Sequence, residues 1–121
     1  MLFKPQHIPQ ILDGIKVVTR RIWKRPCAKE GGTYRVKTKL LSKEYFALIK
    51  CTKLYKQPLG EMTEHDAWIE GKYTLVEYKI IFKEIYGFWD DAFTPTVIEF
   101  ECVSMGNTQV PKEWREIKRK D

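Results

Sequence analysis

Glycine and proline cut this chain into short segments, and that punctuation constrains the fold more than any other feature. Asp13-Gly14, Gly31-Gly32, Pro58-Leu59-Gly60, Gly71 and Gly87 mark turns or helix ends. Between the marks, Thr33-Tyr34-Arg35-Val36-Lys37-Thr38 alternates apolar or aromatic residues with basic ones at a period of two. That pattern is a half-buried strand with a basic outer face. Lys16 to Ile22 is β-branched and basic, and it reads as an earlier strand. A longer strand is expected over about residues 44–55, and a last one over residues 95–103, where Val97 and Glu99 alternate with Ile98 and Phe100. Leu2-Phe3 can open a further strand, and Pro5 and Pro9 bracket a short helix or turn through Ile8, Ile11 and Leu12.

Two helices are expected before the last strand. The first is capped by the Thr63 hydroxyl, with Asp66 three residues on in the capping-box position, and it stops at Gly71. The second runs from Leu75 to Tyr86, placing Leu75, Tyr78, Phe82 and Ile85 on one core-facing stripe. Short turns favour antiparallel neighbours, so the predicted class is α+β: a small, mostly antiparallel β-barrel with two main helices inserted before the last strand. The 121 residues suit one domain, residues 1–104, followed by a basic tail, residues 105–121. The tail reads as a short helix with Trp114 and Ile117 on one side, and the sequence leaves open whether it docks or binds a partner.

Composition narrows the class of function. With 43% hydrophobic and 31% charged residues the chain can build a core. It contains no apolar run of membrane-spanning length and no signal-like apolar stretch at its start, so a cytoplasmic protein is expected. Cys27, Cys51 and Cys102 are scattered and odd in number, which argues against a disulfide framework and a zinc site; they are expected to be small, buried or half-buried side chains. No metal and no cofactor is expected, and the oligomeric state is left open.

Charge is distributed in blocks. Residues 1–60 hold 14 Lys/Arg against 3 Asp/Glu, whereas residues 61–121 hold 8 against 13. One strongly positive face suits a phosphate-bearing partner, although lysines also solvate exposed strands and blunt sheet edges. Within the basic half, residues 14–25 crowd Lys16, Arg20, Arg21, Lys24 and Arg25 around Thr19 and Trp23. Cations interleaved with an aromatic can hold a phosphate and stack a base. Glu70 stands out for another reason. It falls in the last turn of a helix, where the macrodipole disfavours a carboxylate, and it stacks on Asp66 four residues earlier. A basic partner, Lys16, Arg20 or Arg21, would remove that objection.

The run Gly14-Ile15-Lys16-Val17-Val18-Thr19-Arg20-Arg21 resembles the G-x-K-x-x-T-x-R signature of the ASCH (activating-signal-cointegrator homology) domain, a β-barrel related to the PUA family of RNA-binding domains. The likeness continues in Gly31-Gly32, in Thr63 to Gly71 as T-E-H-D-A-x-x-E-G, in Ile85-Tyr86-Gly87 and in Val97-Ile98-Glu99-Phe100, covering residues 2 to 103. It implies a cleft between barrel and helices that binds RNA or a nucleotide-like ligand. Small bacterial members of the family are amidohydrolases that deacetylate N4-acetylcytidine with a Lys, a Thr and a Glu. Position by position these are Lys16, Thr19 and Glu70.

The chemistry of such a triad can be judged on its own. Threonine attacks an acyl carbon only when a base takes its proton, and lysine is that base only if its pKa falls toward neutrality. Burial and the neighbouring arginines lower it; Glu70 raises it. Strict strand alternation would also separate Lys16 from Thr19, unless Lys16 lies in the turn after Gly14 or a bulge intervenes. Thr19 and Arg21 share a face without such help. Of the remaining candidates, Asp66 is a cap or a ligand, Trp23 stacks a base or covers the domain's end, and Tyr86 faces the cleft or the core; His65 is read as exposed. The first functional reading is an RNA- or nucleotide-binding module using Arg20, Arg21, Trp23, Lys24, Arg25, Asp66 and Tyr86 around the triad. The second is an amidohydrolase acting on N4-acetylcytidine or a similar acylated nucleoside. The longer chain, with its Ile22 to Glu30 stretch and its tail, favours a polymer partner over a free nucleoside.

Overall fold

A computed structural model describes residues 1–116. The elements follow in the order α1 (His7–Leu12), β1 (Val18–Arg21), β2 (Thr33–Val36), β3 (Ala47–Lys56), α2 (Glu64–Gly71), α3 (Leu75–Tyr86) and β4 (Thr96–Met105), with a 3-10 turn at Lys112–Glu116. The class is α+β, and the two main helices do precede the last strand. All four strands form one antiparallel sheet in the order β1-β4-β3-β2. The long β3–β4 ladder shifts register between Leu48 and Ile49 and again between Cys51 and Lys53, bulges of the kind that increase local twist.

Among the described residues this sheet does not close into the expected barrel. No ladder joins β1 to β2, and the expected opening strand is reduced to a single parallel bridge between Leu2 and Lys37. Phe3 N donates to the Lys37 carbonyl at 2.8 Å, and Lys37 N to the Met1 carbonyl at 2.9 Å. On the other side the contact is a side chain: Arg21 Nη2 donates to the Leu2 carbonyl at 2.6 Å. Residues 1–3 therefore span the gap between the two edge strands. β1 and β2 each spend one edge on a long strand, β4 and β3 respectively, and their other edges face this terminal segment rather than each other.

The apolar interior divides in two. Phe3, Ile8, Ile11, Val36, Phe46, Ala47, Ile49 and Phe100 form one cluster between α1 and the sheet. Leu59, Met62, Ala67, Tyr73, Tyr78 and Phe82 form a second among the helices. Both helices are closed at their starts by reciprocal capping boxes, Thr63 with Asp66 and Thr74 with Glu77. Helix α3 ends on Gly87 at φ 82°, as its sequence predicts. Helix α2 ends differently: the left-handed residue is Lys72, at φ 63°, not Gly71. Gly71 is needed for space, because a Cβ there would meet His7 Nε2 and Tyr73 Cε2 at 2.7 Å each. Its small size lets α2 approach α1, and that approach sets the position of Glu70.

The tail docks as far as it is described. Trp114 packs on the first cluster with its ring 4.9 Å from that of Phe46, and Arg115 pairs with Asp13 at 2.9 Å. Ile117 lies outside the described residues. Trp114→Ala is expected to lower stability by about 1–2 kcal/mol, less than a fully buried tryptophan would. A thermal melt reads this, and an unchanged midpoint would mean that the tail contributes nothing to the domain. Of the cysteines, Cys51 is buried, but Cys27 and Cys102 are exposed, against the expectation for all three; Cys27 lies in the loop before β2, and Cys102 in the second half of β4, where all five residues are exposed. No helix among the described residues is long and apolar enough to cross a membrane.

Candidate functional site

A cleft of about 430 Å³ opens at the seam of the two clusters, walled by β1, the N-terminal segment, α2 and α3. Lys16, Thr19, Arg20 and Glu70, each at most 5% exposed, are the buried polar side chains around it. Arg21 and Tyr86 also line it.

Lys16 reaches this cleft because it stands outside the strand. Gly14 adopts φ 75°, the backbone N–H of Lys16 bonds the Gln10 carbonyl at 3.1 Å, and β1 begins only at Val18. The turn thus resolves the parity conflict, and Lys16 and Thr19 share one cavity. Lys16 Nζ donates to the carbonyls of Val18 at 2.9 Å and Glu70 at 2.5 Å, and stands 3.6 Å from Glu70 Oε1. Arg20 Nη1 donates to Glu70 Oε2 at 2.7 Å, and its other arm reaches Gln57 Oε1, also at 2.7 Å. The helix-terminal carboxylate that breaks local rules is thus answered by two buried cations. Arg21 Nε donates to Thr19 Oγ1 at 3.0 Å, while the guanidinium lies 5.0 Å from the Phe3 ring centre. That contact orients the hydroxyl and leaves its proton free to donate.

The electrostatics follow from burial. Lys16 is pulled from 10.5 down to about 8, mainly by desolvation; Glu70 opposes the fall, and Arg21 and Arg20 add to it. Between pH 8 and 10.5 the unfolded chain therefore holds a proton that the folded chain has released. Stability rises with pH across that window, by up to about 1.4 kcal/mol per unit. Urea unfolding of the wild type and Lys16→Met at pH 8 and pH 10 tests this, since the tyrosines titrate in both. The wild type is expected to gain on the variant as pH rises, and parallel curves would mean that Lys16 titrates normally.

Two residues of the cleft escape sequence reasoning. His7 Nε2 is 2.8 Å from the Tyr73 hydroxyl, and the His7 ring is held neutral, its pKa lowered to about 2 by burial and then by Lys16, Lys4 and Arg21. Tyr78, taken for a core residue, packs in the second cluster and also lines the cleft, with burial raising its hydroxyl well above 10. The only sequence signal for either was its aromatic type next to a turn or on a helix stripe.

The remaining candidates separate. Asp66 is spent on the Thr63 cap, at 2.9 and 3.1 Å, and lies outside the cleft lining. Trp23 lines a second groove of about 570 Å³, on the far side of Arg21. Lys24 and Arg25 are exposed and line neither cavity, and His65 is exposed as expected.

No family model matches this chain, and no curated protein does. Among solved structures, the chain is similar to an ASCH domain from Lactobacillus crispatus, with a TM-score of 0.68 at 15% identity over 80% of this chain and 70% of that one. A DUF984 protein from Enterococcus faecalis gives 0.63 at 21% identity, over 81% and 67% respectively. A point variant of the ASCH protein of Zymomonas mobilis gives 0.60 at 12% identity, over 87% and 69%. With sequence identities this low the likeness is one of architecture, and the architecture of this chain is that of the ASCH domain.

Proposed function

We propose that the cleft binds a nucleotide or a nucleotide unit of RNA. One observation carries this reading: a nucleoside-sized, aromatic-walled cavity in which the buried cations Lys16 and Arg20, with the half-buried Arg21, outnumber the single carboxylate, Glu70. Glu70 offsets one cation, and the surplus suits a phosphate or a developing oxyanion. Phe3, Tyr78 and Tyr86 offer apolar and aromatic surface for a base or ribose. Thr19, its oxygen held by Arg21, supplies a hydroxyl donor for a base edge.

Binding of this kind depends on salt. Affinity for single-stranded RNA is expected to fall with a log–log slope of about −0.7 per phosphate neutralised, and Arg21→Gln to weaken binding and flatten the slope by about that amount. Fluorescence titrations at several salt concentrations measure it. A salt-independent affinity, or none, would sink the reading.

The lowered pKa of Lys16 supports a second reading, an amidohydrolase of the type that acts on N4-acetylcytidine. A neutral fraction of Lys16 takes the Thr19 proton as the hydroxyl oxygen bonds to the acyl carbon. The tetrahedral adduct expels the nucleoside amine, which receives that proton, and water then cleaves the acyl-threonine. Glu70, with one oxygen bonded to Arg20 and the other facing Lys16, keeps the ammonium in place. Incubation with N4-acetylcytidine and chromatography for cytidine decides between the readings. Cytidine from the wild type but not from Thr19→Ala would establish hydrolysis, and no product would leave a recognition cleft.

A further inference from the structure

The second groove is built from different residues but shares a wall with the cleft, since Leu2 and Arg21 line both cavities. Arg21 sits at the divide, with its Nη2 on the Leu2 carbonyl and its Nε on Thr19. Beyond that divide the groove is lined by the half-buried rings of Trp23 and Tyr34 and by the cations Arg35 and Lys37. Tyr34 is fixed from below, because its hydroxyl accepts the Lys29 N–H at 2.8 Å and its ring packs on the first apolar cluster. None of the described residues lining the groove is acidic, and neither Arg35 nor Lys37 forms an ion pair among the described residues. Lys24 and Arg25, equally unpaired, follow Trp23 directly in the chain.

We infer that this groove is a second nucleotide subsite, so that the ligand of the cleft is one unit of a single-stranded nucleic acid and its neighbour stacks on Trp23. The inference rests on the nucleotide-binding reading of the cleft and extends it from a nucleotide to a polymer. Arg35 leans on the Tyr45 ring at 4.7 Å but has no carboxylate partner among the described residues. An aromatic face beside cations without carboxylate partners is the arrangement that holds a base and its phosphate together, and stacking of this kind tolerates any base. Arg21, shared by both cavities, is placed to meet the phosphodiester that links the two units. A free nucleoside would use none of this surface.

The test compares a random-sequence RNA hexamer pool with the four nucleoside 5′-monophosphates, titrated into the full chain and read by tryptophan fluorescence and indole NMR shifts. The hexamer pool is expected to bind about tenfold or more tighter than any monophosphate and to shift the Trp23 indole signal. Trp23→Ala is expected to remove most of that advantage. Arg35→Gln with Lys37→Gln should reduce it as well and leave monophosphate affinity within about twofold, because the backbone bonds of Lys37 do not involve its side chain. Monophosphate binding with no gain from the hexamer overturns the second subsite and leaves the cleft reading standing. A hexamer advantage that survives both variants also overturns it. A heparin hexasaccharide that binds as tightly as RNA would show a bare polyanion surface without stacking, and would likewise overturn it. Binding of none of these ligands removes the cleft reading together with the subsite.

Discussion

Replacing Glu70 with alanine is expected to destabilise the protein by about 3–5 kcal/mol, because it strands buried cations without their counter-charge. The carboxylate is 4% exposed, accepts from Arg20 at 2.7 Å and faces Lys16 at 3.6 Å. With it gone, among the described residues Arg20 keeps a hydrogen bond to Gln57, and Lys16 keeps two carbonyls and the face of the Phe3 ring. A loss of that size is a large part of the roughly 5–15 kcal/mol that holds a typical domain. Glu70→Gln should lose less, since it retains an acceptor for Arg20. In that variant Lys16 should titrate still lower, because Glu70 is the group that props its pKa up. Urea unfolding gives the stabilities, and an alanine variant within about 1 kcal/mol of wild type would contradict the ion-pair account.

The same network has a second consequence. Removing all three charges together, as Lys16→Met, Arg20→Leu and Glu70→Leu, should recover much of what the single change loses, since well-packed apolar groups often replace buried ions without penalty. Ligand binding should vanish in that protein. Stability that recovers while binding disappears would show that these charges are kept for the ligand rather than for the fold.

Much of this site was readable at the level of single residues. Glu70 announced itself by standing where a helix dipole opposes it, and its need for a basic partner followed at once. The helix from Leu75 to Tyr86 and the capping role of Thr63 needed only periodicity and local hydrogen bonding. What local pattern does not encode is which distant surfaces meet. Gly71 looks like a helix stop in the sequence, but its small size is required by His7 and Tyr73, and only the packing of α1 on α2 reveals this. Barrel closure is a long-range property as well. It depends on whether β1 and β2, far apart in the sheet order, meet edge to edge, and residues 1–3 with the Arg21 side chain occupy that gap instead. Lys16 and Thr19 were separable by strand parity, and their convergence came from where β1 begins, a boundary that residue types leave loose.

Acid should unfold this protein earlier than its carboxylates alone would require. His7 is neutral in the fold, at about 2 against 6.5 in an open chain, because burial and then Lys16, Lys4 and Arg21 oppose a proton there. Below pH 6.5 the unfolded chain binds a proton that the folded chain refuses. The stability associated with neutral His7 is therefore present above pH 6.5 and lost on acidification, at about 1.4 kcal/mol per unit. His7→Gln removes the titration and keeps a polar group within reach of the Tyr73 hydroxyl. Between pH 7.5 and 5, a range above most carboxylate titrations, wild type should lose about 2 kcal/mol more than the variant. Denaturant midpoints across that range provide the comparison, and NMR of the imidazole should show His7 uncharged at pH 5. Parallel pH profiles, or a protonated imidazole in the folded protein, would overturn the argument. A neutral His7 also bears on the site itself, since it places a hydrogen-bonding group beside the cleft without adding to a positive charge that Lys16, Arg20 and Arg21 already supply in excess of Glu70.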